Sequence, residues 1–494
     1  MMPMIKLTDL LSIIPFYKVI GNVEETYINK IEMDHRKINS DDVFVCLRGF
    51  TVDGHDYAEQ AIENGASIII AEKDINVSVA TIVVPDTSRA LALIAAKFYD
   101  FPTTKLSLIG ITGTNGKTTT TYLLEAIYKQ NQNNTGLIGT IQMKIGDKTY
   151  PVNNTTPDSL FLQKTFKQMV DEKIDTAIME VSSHALDLGR VHGCDYEVAL
   201  FTNLSQDHLD YHKDLDDYLR VKSLLFAQLG NSYRPGKRKF AILNADDPAS
   251  ELIKKSTAQH VLTYGCKAKA DIMAENIKLS VSGTTFILKT PIGEIDINSQ
   301  LVGMFNVYNM LAASSVAIVQ HIDLQVIKDA LENISGVHGR FEQVNQGQNY
   351  SVIVDYAHTP DSLENVLQTI TEFSKRRIFV VVGCGGDRDK SKRPLMANIA
   401  VKYADQAIFT SDNPRTENPT SILKDMTAHL KEANYEVIED RKQAIFRAVD
   451  LANDDDIILI AGKGHEAYQE INRVKYDFDD REIASEAMKQ KESK

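Results

Sequence analysis

The sequence has few cysteines, no excess of positive charge and no long apolar run. Its four cysteines lack the paired spacings of metal or redox sites, which suits a reduced cytosol; they are Cys46, Cys194, Cys266 and Cys384. The 54 Lys and Arg against 67 Asp and Glu give a net charge of -13, which argues against a general binder of nucleic acid or anionic membranes. No apolar run can span a bilayer, and the N-terminus lacks a signal-peptide pattern. We therefore expect a cytoplasmic protein with no membrane and no nucleic-acid partner.

What is present indicates several α/β domains. A chain of 494 residues is too long for one core, and a prior of about 150 residues per domain suggests three. Apolar strands are predicted at 43–49, 67–72, 105–112 and 175–181, and four more alternate with helical stretches after residue 335. This alternation predicts parallel sheets covered by helices on both faces. We predict a monomeric α/β protein with a small α/β domain (1–102), a phosphate-loop domain with a mostly parallel sheet (103–334) and a doubly wound, Rossmann-like domain (335–494).

The strongest motif is GITGTNGKTTT, residues 110–120, between a predicted strand and a predicted helix. Glycines at 113 and 116 would let backbone N–H groups approach phosphate oxygens, while Lys117 supplies a cation and the Thr118 hydroxyl a Mg²⁺ ligand. Ile111 stands where the strict Walker pattern has its first glycine, and the alternative is a tight turn without a ligand. The motif predicts a site for a nucleoside triphosphate.

A carboxylate for the metal is predicted at Glu180, which ends the buried strand of IMEVSSH. The alternative is a strand-end glutamate that faces solvent. His208, directly after Asp207, is a candidate metal ligand as a neutral imidazole, although a lone histidine is more often structural.

Lys222 lies in the middle of the apolar face of a predicted helix, residues 216–229, which also carries Tyr218, Leu225 and Leu229. A lysine at such a position usually extends its ammonium to water. The alternative is a desolvated amine with a lowered pKa, which can do chemistry that a surface lysine cannot.

These motifs resemble the Mur ligases of bacterial cell-wall synthesis. The resemblance covers nearly the whole chain, in the same order, and rests on GTNGKTT (113–119), EVSSHAL (180–186), NLSQDHLDYH (203–212), Lys222, GMFNVYN (303–309), GRFE (339–342), DYAHTPD (355–361) and GCGGDRDKSKRP (383–394). It implies an ATP- and Mg²⁺-dependent acid–amino-acid ligase of peptidoglycan precursor synthesis. The three predicted domains would bind a UDP-linked substrate, ATP and an amino acid, in chain order.

The resemblance also implies the site residues. The phosphates of ATP would lie on Gly113, Thr114, Asn115, Gly116, Lys117, Thr118 and Thr119. Its adenosine part, or the coupling of that part to the third domain, would involve Asn306, Asn309, Arg340 and Asp355. Mg²⁺ would be held by Thr118, Glu180, His208 and Lys222, the lysine that the family carbamylates. The UDP-muramoyl dipeptide would contact His35, Thr155, Thr156, Ser182 and Arg190. His35 stands where the family usually has a serine, so a larger side chain lies at the expected nucleotide contact.

The stretch SDNPRTENP, residues 411–419, has no aliphatic or aromatic side chain, although a predicted buried strand precedes it. It resembles the DNPR signature of family members that add meso-2,6-diaminopimelate. That amino acid has a second carboxylate, which Arg415 can bind with two hydrogen bonds while repelling the cation of lysine. The resemblance places Arg388, Asp412, Asn413, Pro414, Gly462 and Glu466 in the same amino-acid site. A solvated loop cation is the alternative for Arg415.

The implied reaction joins diaminopimelate to the D-glutamyl carboxylate of UDP-N-acetylmuramoyl-L-alanyl-D-glutamate. ATP would convert that carboxylate into an acyl phosphate, and the incoming amine would displace phosphate. Lys117, Lys222, Glu180 and His208 are the predicted catalytic group. Three alternatives remain: an L-lysine-adding member of the family, a folylpolyglutamate-type ligase, and a nucleotide-dependent switch without chemistry.

Overall fold

The computed structural model describes residues 4–49, 52–152, 154–230, 237–280, 283–374, 376–431 and 434–493. In the first region, the strands are β1 (Ile5–Lys6), β2 (Lys18–Ile20), β3 (Tyr27–Ile28), β4 (Ile31–Glu32), β5 (Asp42–Val45), β6 (Ala66–Ala71) and β7 (Ala80–Val83). The helices are α1 (Leu7–Leu11), α2 (Ala58–Glu63) and α3 (Thr87–Phe98), with 3₁₀ helices at His35–Lys37, Gly54–Tyr57 and Pro102–Thr104. A five-stranded sheet in the order β2-β7-β6-β5-β4 is parallel except for its edge strand β2.

The middle region contains an eleven-stranded sheet. Its strands are β8 (Ser107–Thr112), β9 (Thr135–Ile138), β10 (Met143–Ile145), β11 (Lys148–Tyr150), β12 (Thr176–Glu180), β13 (Val198–Phe201), β14 (Phe240–Asn244), β15 (His260–Gly265), β16 (Ile272–Ser280), β17 (Gly283–Thr290) and β18 (Gly293–Ser299). The helices are α4 (Lys117–Gln130), α5 (Ser159–Asp171), α6 (Ser183–Asp187), α7 (Leu215–Gln228), α8 (Ala249–Ser256), α9 (Met304–Val319) and α10 (Leu324–Asn333). The order is β11-β10-β9-β12-β8-β13-β14-β15-β16-β17-β18, with a parallel centre from β9 to β16.

Strand β8 shows why the sequence forms this layered core. Successive side chains of a strand point to opposite faces, and here Ile109 packs with α4 and α9 in one apolar cluster, whereas Leu108 packs with α5 and α7 in another. Because both faces of β8 are covered, its sequence is continuously apolar rather than alternating.

The last region contains a six-stranded sheet in the order β19-β20-β24-β21-β22-β23, parallel except for β19. Its strands are β19 (Glu342–Gln343), β20 (Ser351–Asp355), β21 (Ile378–Val382), β22 (Gln406–Phe409), β23 (Tyr435–Val437) and β24 (Ile457–Ala461), and a separate hairpin is formed by β25 (Tyr468–Ile471) and β26 (Val474–Asp477). The helices are α11 (Pro360–Phe373), α12 (Lys392–Tyr403), α13 (Pro419–Thr427), α14 (Arg441–Leu451) and α15 (Asp480–Glu492). Val380 and Phe379 belong to different apolar clusters, so helices cover both faces.

The α/β fold class with parallel-rich sheets is confirmed. The predicted helix 216–229 is α7, Leu215–Gln228, with the side chain of Asp214 accepting a hydrogen bond from the Asp217 N–H at its start. The predicted strand 175–181 is β12. The predicted boundaries at 102/103 and 334/335 fall between the three main sheets and remain predictions. No helix within the described ranges is both long enough and apolar enough to cross a membrane.

Candidate active site

The phosphate loop lies between the carboxyl end of β8 and the start of α4. Gly113 and Gly116 have φ angles of +145° and +86°, which other residues rarely adopt. The Lys117 ammonium folds back onto the loop and donates to the carbonyl oxygens of Gly113 (2.8 Å) and Thr114 (2.7 Å). Burial lowers the pKa of Lys117. The loop therefore has the left-handed glycines and the cation that phosphate binding requires.

The segment after β13 fixes the shape of this loop. The backbone N–H of Thr114 donates to the Asn203 carbonyl (2.8 Å), and that of Asn115 donates to the Asn203 side chain (2.9 Å). The Thr202 hydroxyl donates to the Asn115 carbonyl at 2.6 Å. Because β13 pairs with β8 in the sheet, the loop is held rigidly against its neighbour.

Glu180 ends β12, the other neighbour of β8, and is 1% exposed. Its carboxylate accepts from the Thr118 hydroxyl (3.0 Å) and from the N–H and hydroxyl of Thr140 (both 2.9 Å). These hydrogen-bond donors are all neutral, so the buried negative charge is suited to binding a cation. The solvent-facing alternative for Glu180 is therefore wrong.

Lys222 on α7 is 1% exposed, and its Nζ donates to the Gly113 carbonyl oxygen at 2.9 Å. The same atom lies 4.2 Å from the centroid of the Tyr218 ring. Burial, with a further contribution from the charge of Lys117, lowers the pKa of Lys222 well below its usual value. No carboxylate of the described residues forms an ion pair with it. The Lys222 ammonium does not extend to water. The structure therefore agrees with the alternative prediction, a desolvated amine.

His208 lies beside this amine in a group of aromatic side chains. Its ring is 5.0 Å from that of His184 and 6.2 Å from that of Tyr218, between centroids. Desolvation lowers the pKa of His208, which makes the neutral imidazole the main form at neutral pH. Its backbone has a φ of +55°, and its N–H donates to the Asp207 carboxylate at 2.9 Å.

Residues of the last region reach the phosphate loop. Arg340 donates to the Thr118 hydroxyl at 3.1 Å, and the Asn115 amide donates to Asp361 on α11 at 2.7 Å. Asp355 accepts from the backbone N–H groups of Phe341 and Ala357, both at 2.7 Å, and its burial raises its pKa.

The predicted amino-acid residues lie at the carboxyl ends of β21, β22 and β24. Asn413 donates to Glu466 at 2.8 Å, and the fully buried Lys463 donates to Asn413 at 3.0 Å. Desolvation raises the pKa of Glu466. The buried Asp412 Oδ2 has no hydrogen-bond partner among the described residues, although Arg441 lies 4.0 Å away. A buried carboxylate oxygen without a donor can accept a hydrogen bond from a substrate ammonium.

Arg415 is held in the left-handed region, with a φ of +50°. Its backbone N–H donates to the Glu470 carbonyl on β25 (3.0 Å), and its guanidinium donates to the Gly386 carbonyl (2.8 Å). The Glu470 carboxylate lies 3.5 Å from its Nε. Arg415 is therefore fixed by two neighbouring segments, which argues against a freely solvated loop cation.

Three cavities gather most of the predicted site residues. A cavity of about 150 Å³ is lined by Gly116, Lys117, Thr118, Thr155, Glu180, Ser182, His208, Lys222 and Arg340, with Thr114, Asn115 and Thr119. An adjoining cavity of about 540 Å³ is lined by Arg388, Asp412, Asn413, Arg415, Gly462 and Glu466, together with Thr155 and His208. A third cavity of about 720 Å³ contains His35 and Arg190. The first two share several lining residues, so nucleotide and amino-acid sites would adjoin.

The remaining predicted residues support these cavities from behind. The Thr156 hydroxyl donates to the Glu180 carbonyl (2.9 Å), and its own carbonyl accepts from Arg190 (3.0 Å). Buried Asn309 on α9 lies directly behind Gly116, with Asn306 bonded to it. Pro414 packs against Gly386, where an added Cβ would be 2.0 Å from the Pro414 carbonyl oxygen. Asp355 holds the backbone that follows Arg340.

His35, the departure from the family pattern, stacks on Tyr57 with the ring centroids 4.6 Å apart and the planes 17° from parallel. The larger side chain is thus accommodated against an aromatic wall of the third cavity rather than filling it.

Some residues of the site were missed in the sequence. Thr140 follows β9 and carries no local motif; only the pairing of β9 with β12 brings it to Glu180. The sequence does carry a signal for Lys463 and His358, because each stands in a polar segment directly after a predicted buried strand.

The chain matches three family models, described as "Mur ligase family, catalytic domain" over residues 27–99, "Mur ligase middle domain" over 111–317 and "Mur ligase, glutamate ligase domain" over 339–464. The chain therefore belongs to the Mur ligase family, and the prediction from its motifs is confirmed.

Among individual relatives, the chain is 61% identical over 490 residues to the UDP-N-acetylmuramoyl-L-alanyl-D-glutamate–2,6-diaminopimelate ligase of Oceanobacillus iheyensis, covering 98% of this chain and 99% of the relative. It is 53% identical to the ligase of the same name from Listeria monocytogenes, with 98% and 99% covered. A solved structure of a ligase with this name is 34% identical, with a TM-score of 0.70 and coverage of 98% and 99%. A folylpolyglutamate synthase of Mycobacterium tuberculosis shares the fold alone, at 18% identity and a TM-score of 0.62 over 74% of this chain and 91% of that one.

Proposed function

We propose that this protein is an ATP-dependent ligase that joins meso-2,6-diaminopimelate to the D-glutamyl carboxylate of UDP-N-acetylmuramoyl-L-alanyl-D-glutamate in cytoplasmic peptidoglycan precursor synthesis. The names of relatives at 53–61% identity over nearly the whole chain agree with this function, which was also predicted from the motifs. The observation that carries the choice of amino acid is Arg415, held at the wall of the 540 Å³ cavity by its bond to the Gly386 carbonyl.

The chemistry follows from the phosphate loop, whose cavity adjoins the amino-acid cavity. The γ-phosphoryl group of ATP passes to the glutamyl carboxylate, and the resulting acyl phosphate is attacked by the amine, which releases phosphate. Lys117 and the loop N–H groups would stabilise charge on the phosphoryl oxygens. The amine must approach as a free base, and the cavity that adjoins the phosphate loop would place it near the acyl carbon. Water would be excluded by the contacts of Arg340 and Asp361 with the loop.

The donor set fits Mg²⁺ in part. Among the described residues no group of three His, Cys, Asp or Glu side chains lies close enough to hold a metal, yet the Glu180 carboxylate is buried and bonded only to neutral donors. Carbamylation of Lys222 would add a second carboxylate, because its unprotonated nitrogen can attack CO₂ and lose a proton. Thr118, Glu180, His208 and carbamylated Lys222 would then hold Mg²⁺, which neutralises phosphate charge when bound.

The site residues, the three domain boundaries and the monomeric state form part of the same proposal. The UDP-linked substrate would bind in the 720 Å³ cavity between His35 and Arg190 and extend past Ser182 and Thr155 toward the phosphate loop. The guanidinium of Arg190 suits the negative charge of that substrate.

The test is phosphate release from ATP and Mg²⁺ with the UDP-linked dipeptide, comparing meso-diaminopimelate with L-lysine. Release that depends on diaminopimelate supports the proposal. Release with lysine alone would keep the ligase class and refute the role of Arg415, whereas release that ignores both amino acids would favour a nucleotide switch.

A further inference from the structure

The two residues after Arg415 bind to the protein itself rather than lining the cavity. The Glu417 carboxylate accepts from Arg393 Nη1 (3.1 Å) and Nη2 (2.8 Å) and from the backbone N–H of Asp387 (2.7 Å). Lys390 lies 3.0 Å from the same carboxylate. The Thr416 hydroxyl donates to the Asp387 carboxylate at 2.7 Å. The segment that carries Arg415 is thus anchored to the segment that carries Arg388.

Arg393 is a fixed point for this anchor. It lies in the first turn of α12 and is 0% exposed. Its guanidinium bonds to Glu417 through both Nη atoms, and Nη1 also donates to Asp425 of α13, at 2.8 Å. The hydrogen bonds from Arg393 lower the pKa of Glu417 to about 2, so this carboxylate is ionised throughout the neutral range. A buried guanidinium that makes two parallel hydrogen bonds to a carboxylate fixes the orientation of both groups, whereas a simple point charge does not.

The two segments also interlock above the anchor. Gly386 donates its N–H to the Asn413 carbonyl (2.9 Å) and accepts from the Arg415 guanidinium (2.8 Å). A Cβ at Gly386 would be only 2.0 Å from the Pro414 carbonyl oxygen. A shift of either segment would therefore move Arg388 and Arg415, which both line the amino-acid cavity, relative to one another.

We propose that Glu417 and Arg393 are positioning residues for amino-acid selectivity: their ion pair sets the place of the Arg415 guanidinium in the amino-acid cavity. Neither Glu417 nor Arg393 is among the described residues that line this cavity. They act through Arg415 and do not touch substrate. The inference rests on the proposed function and extends it to two residues outside the predicted site.

The structure offers a matched control, because Arg393 has a second carboxylate partner. Glu417→Gln keeps the shape and an oxygen for the Asp387 N–H but removes the charge that Arg393 holds. Asp425→Asn removes the other partner of the same guanidinium, on α13 and away from the cavity. If the ion pairs of Arg393 serve only to stabilise the fold, the two variants should behave alike.

The experiment measures phosphate release with full-length wild type and variants, at saturating ATP and UDP-linked dipeptide, while diaminopimelate or L-lysine is varied. We expect Glu417→Gln to raise the KM for diaminopimelate about tenfold, because small misplacements of a binding group are costly. The preference for diaminopimelate over lysine falls by a similar factor, while the KM for ATP is unchanged. Asp425→Asn keeps the wild-type KM and preference. An unchanged KM in Glu417→Gln, or an equal change in Asp425→Asn, would overturn the inference.

Two further arms keep the result decisive. If Glu417→Gln does not fold, Thr416→Val replaces it, because this change removes only the exposed hydroxyl bonded to Asp387. Thr416→Val should also raise the KM for diaminopimelate, by a smaller factor. A wild-type KM in that variant would then refute the inference. Wild-type protein that shows no amino-acid-dependent release would refute the proposed function instead. Wild-type selectivity that survives in the variants would refute the inference alone.

Discussion

Replacing Arg415 with methionine tests the selectivity argument directly. The change keeps a long unbranched side chain but removes the guanidinium that would bind the second carboxylate of diaminopimelate. A hydrogen bond to a charged partner contributes about 1.5–3 kcal/mol. At about 1.4 kcal/mol per factor of ten, the loss of one such bond should lower kcat/KM for diaminopimelate roughly 10- to 150-fold, and the loss of both should lower it further.

L-Lysine should respond differently to the same change. It has no second carboxylate to lose, and the Glu470 carboxylate, 3.5 Å from Arg415 Nε in the wild type, is left without its cation. An unpaired carboxylate attracts the lysine ammonium, so kcat/KM for lysine should stay constant or rise. The ratio of kcat/KM for diaminopimelate to kcat/KM for lysine therefore falls by at least the factor expected for diaminopimelate.

The assay is phosphate release with each amino acid varied at saturating ATP and UDP-linked dipeptide. Arg447→Met serves as a control, because Arg447 forms a surface pair with Glu436 that contributes little, about 0–1 kcal/mol. Arg415→Lys, which keeps the charge but loses the two-pronged donor, should fall between wild type and Arg415→Met. An equal loss for both amino acids would refute the reasoning, because it would show that Arg415 supports the site without reading the second carboxylate.

Three further predictions concern Gly116, Lys222 and Arg441. Gly116→Ala should raise the KM for ATP sharply, since its Cβ would lie 2.4 Å from Asn309 Oδ1, whereas Gly347→Ala, at a similar positive φ but in open space, should not. Lys222→Met should raise the thermal midpoint at pH 7, because burial lowers the pKa of this amine in the folded chain well below the ordinary value of 10.5 that it keeps in the unfolded chain. Wild-type stability therefore rises with pH, and the difference from the variant shrinks toward pH 10.5. A difference that grows with pH would contradict it. Arg441→Met should cost about 3–5 kcal/mol in denaturant unfolding, because Asp480 is left buried without its partner; a loss below about 1 kcal/mol would contradict the importance of the pair.

Local motifs were enough to predict the parts of the site that one segment builds. The phosphate loop needs glycines with positive φ and a lysine within a few residues, so GTNGKTT predicts its own geometry. Lys222 was predicted because helical spacing alone puts it on the apolar face of α7. The continuous apolar strands predicted parallel sheets, because burial on both faces of a sheet leaves no place for polar side chains.

Residues that reach the site through strand order or packing could not be predicted from local motifs. Thr140 bonds to Glu180 only because β9 lies beside β12 in the sheet, and the sequence does not state that order. Asp361 reaches Asn115 across 246 residues. Glu417 belongs to the loop SDNPRTENP and Arg393 to the stretch GCGGDRDKSKRP, but neither stretch shows that the two side chains meet. Only the fold shows that Arg393 is fully buried.

The contacts at Thr118 show how nucleotide binding would be linked to the amino-acid side of the site. Its hydroxyl donates to Glu180 and accepts from Arg340, which leaves one lone pair of this oxygen free. A cation bound to that lone pair would be attracted by the Glu180 carboxylate and repelled by the Arg340 guanidinium. Arg340 directly precedes Phe341, whose N–H is bound by Asp355 at the end of β20, in the sheet that carries Arg415. Occupation of the phosphate loop would therefore act on that sheet through the side chain of Arg340 and the backbone N–H of Phe341.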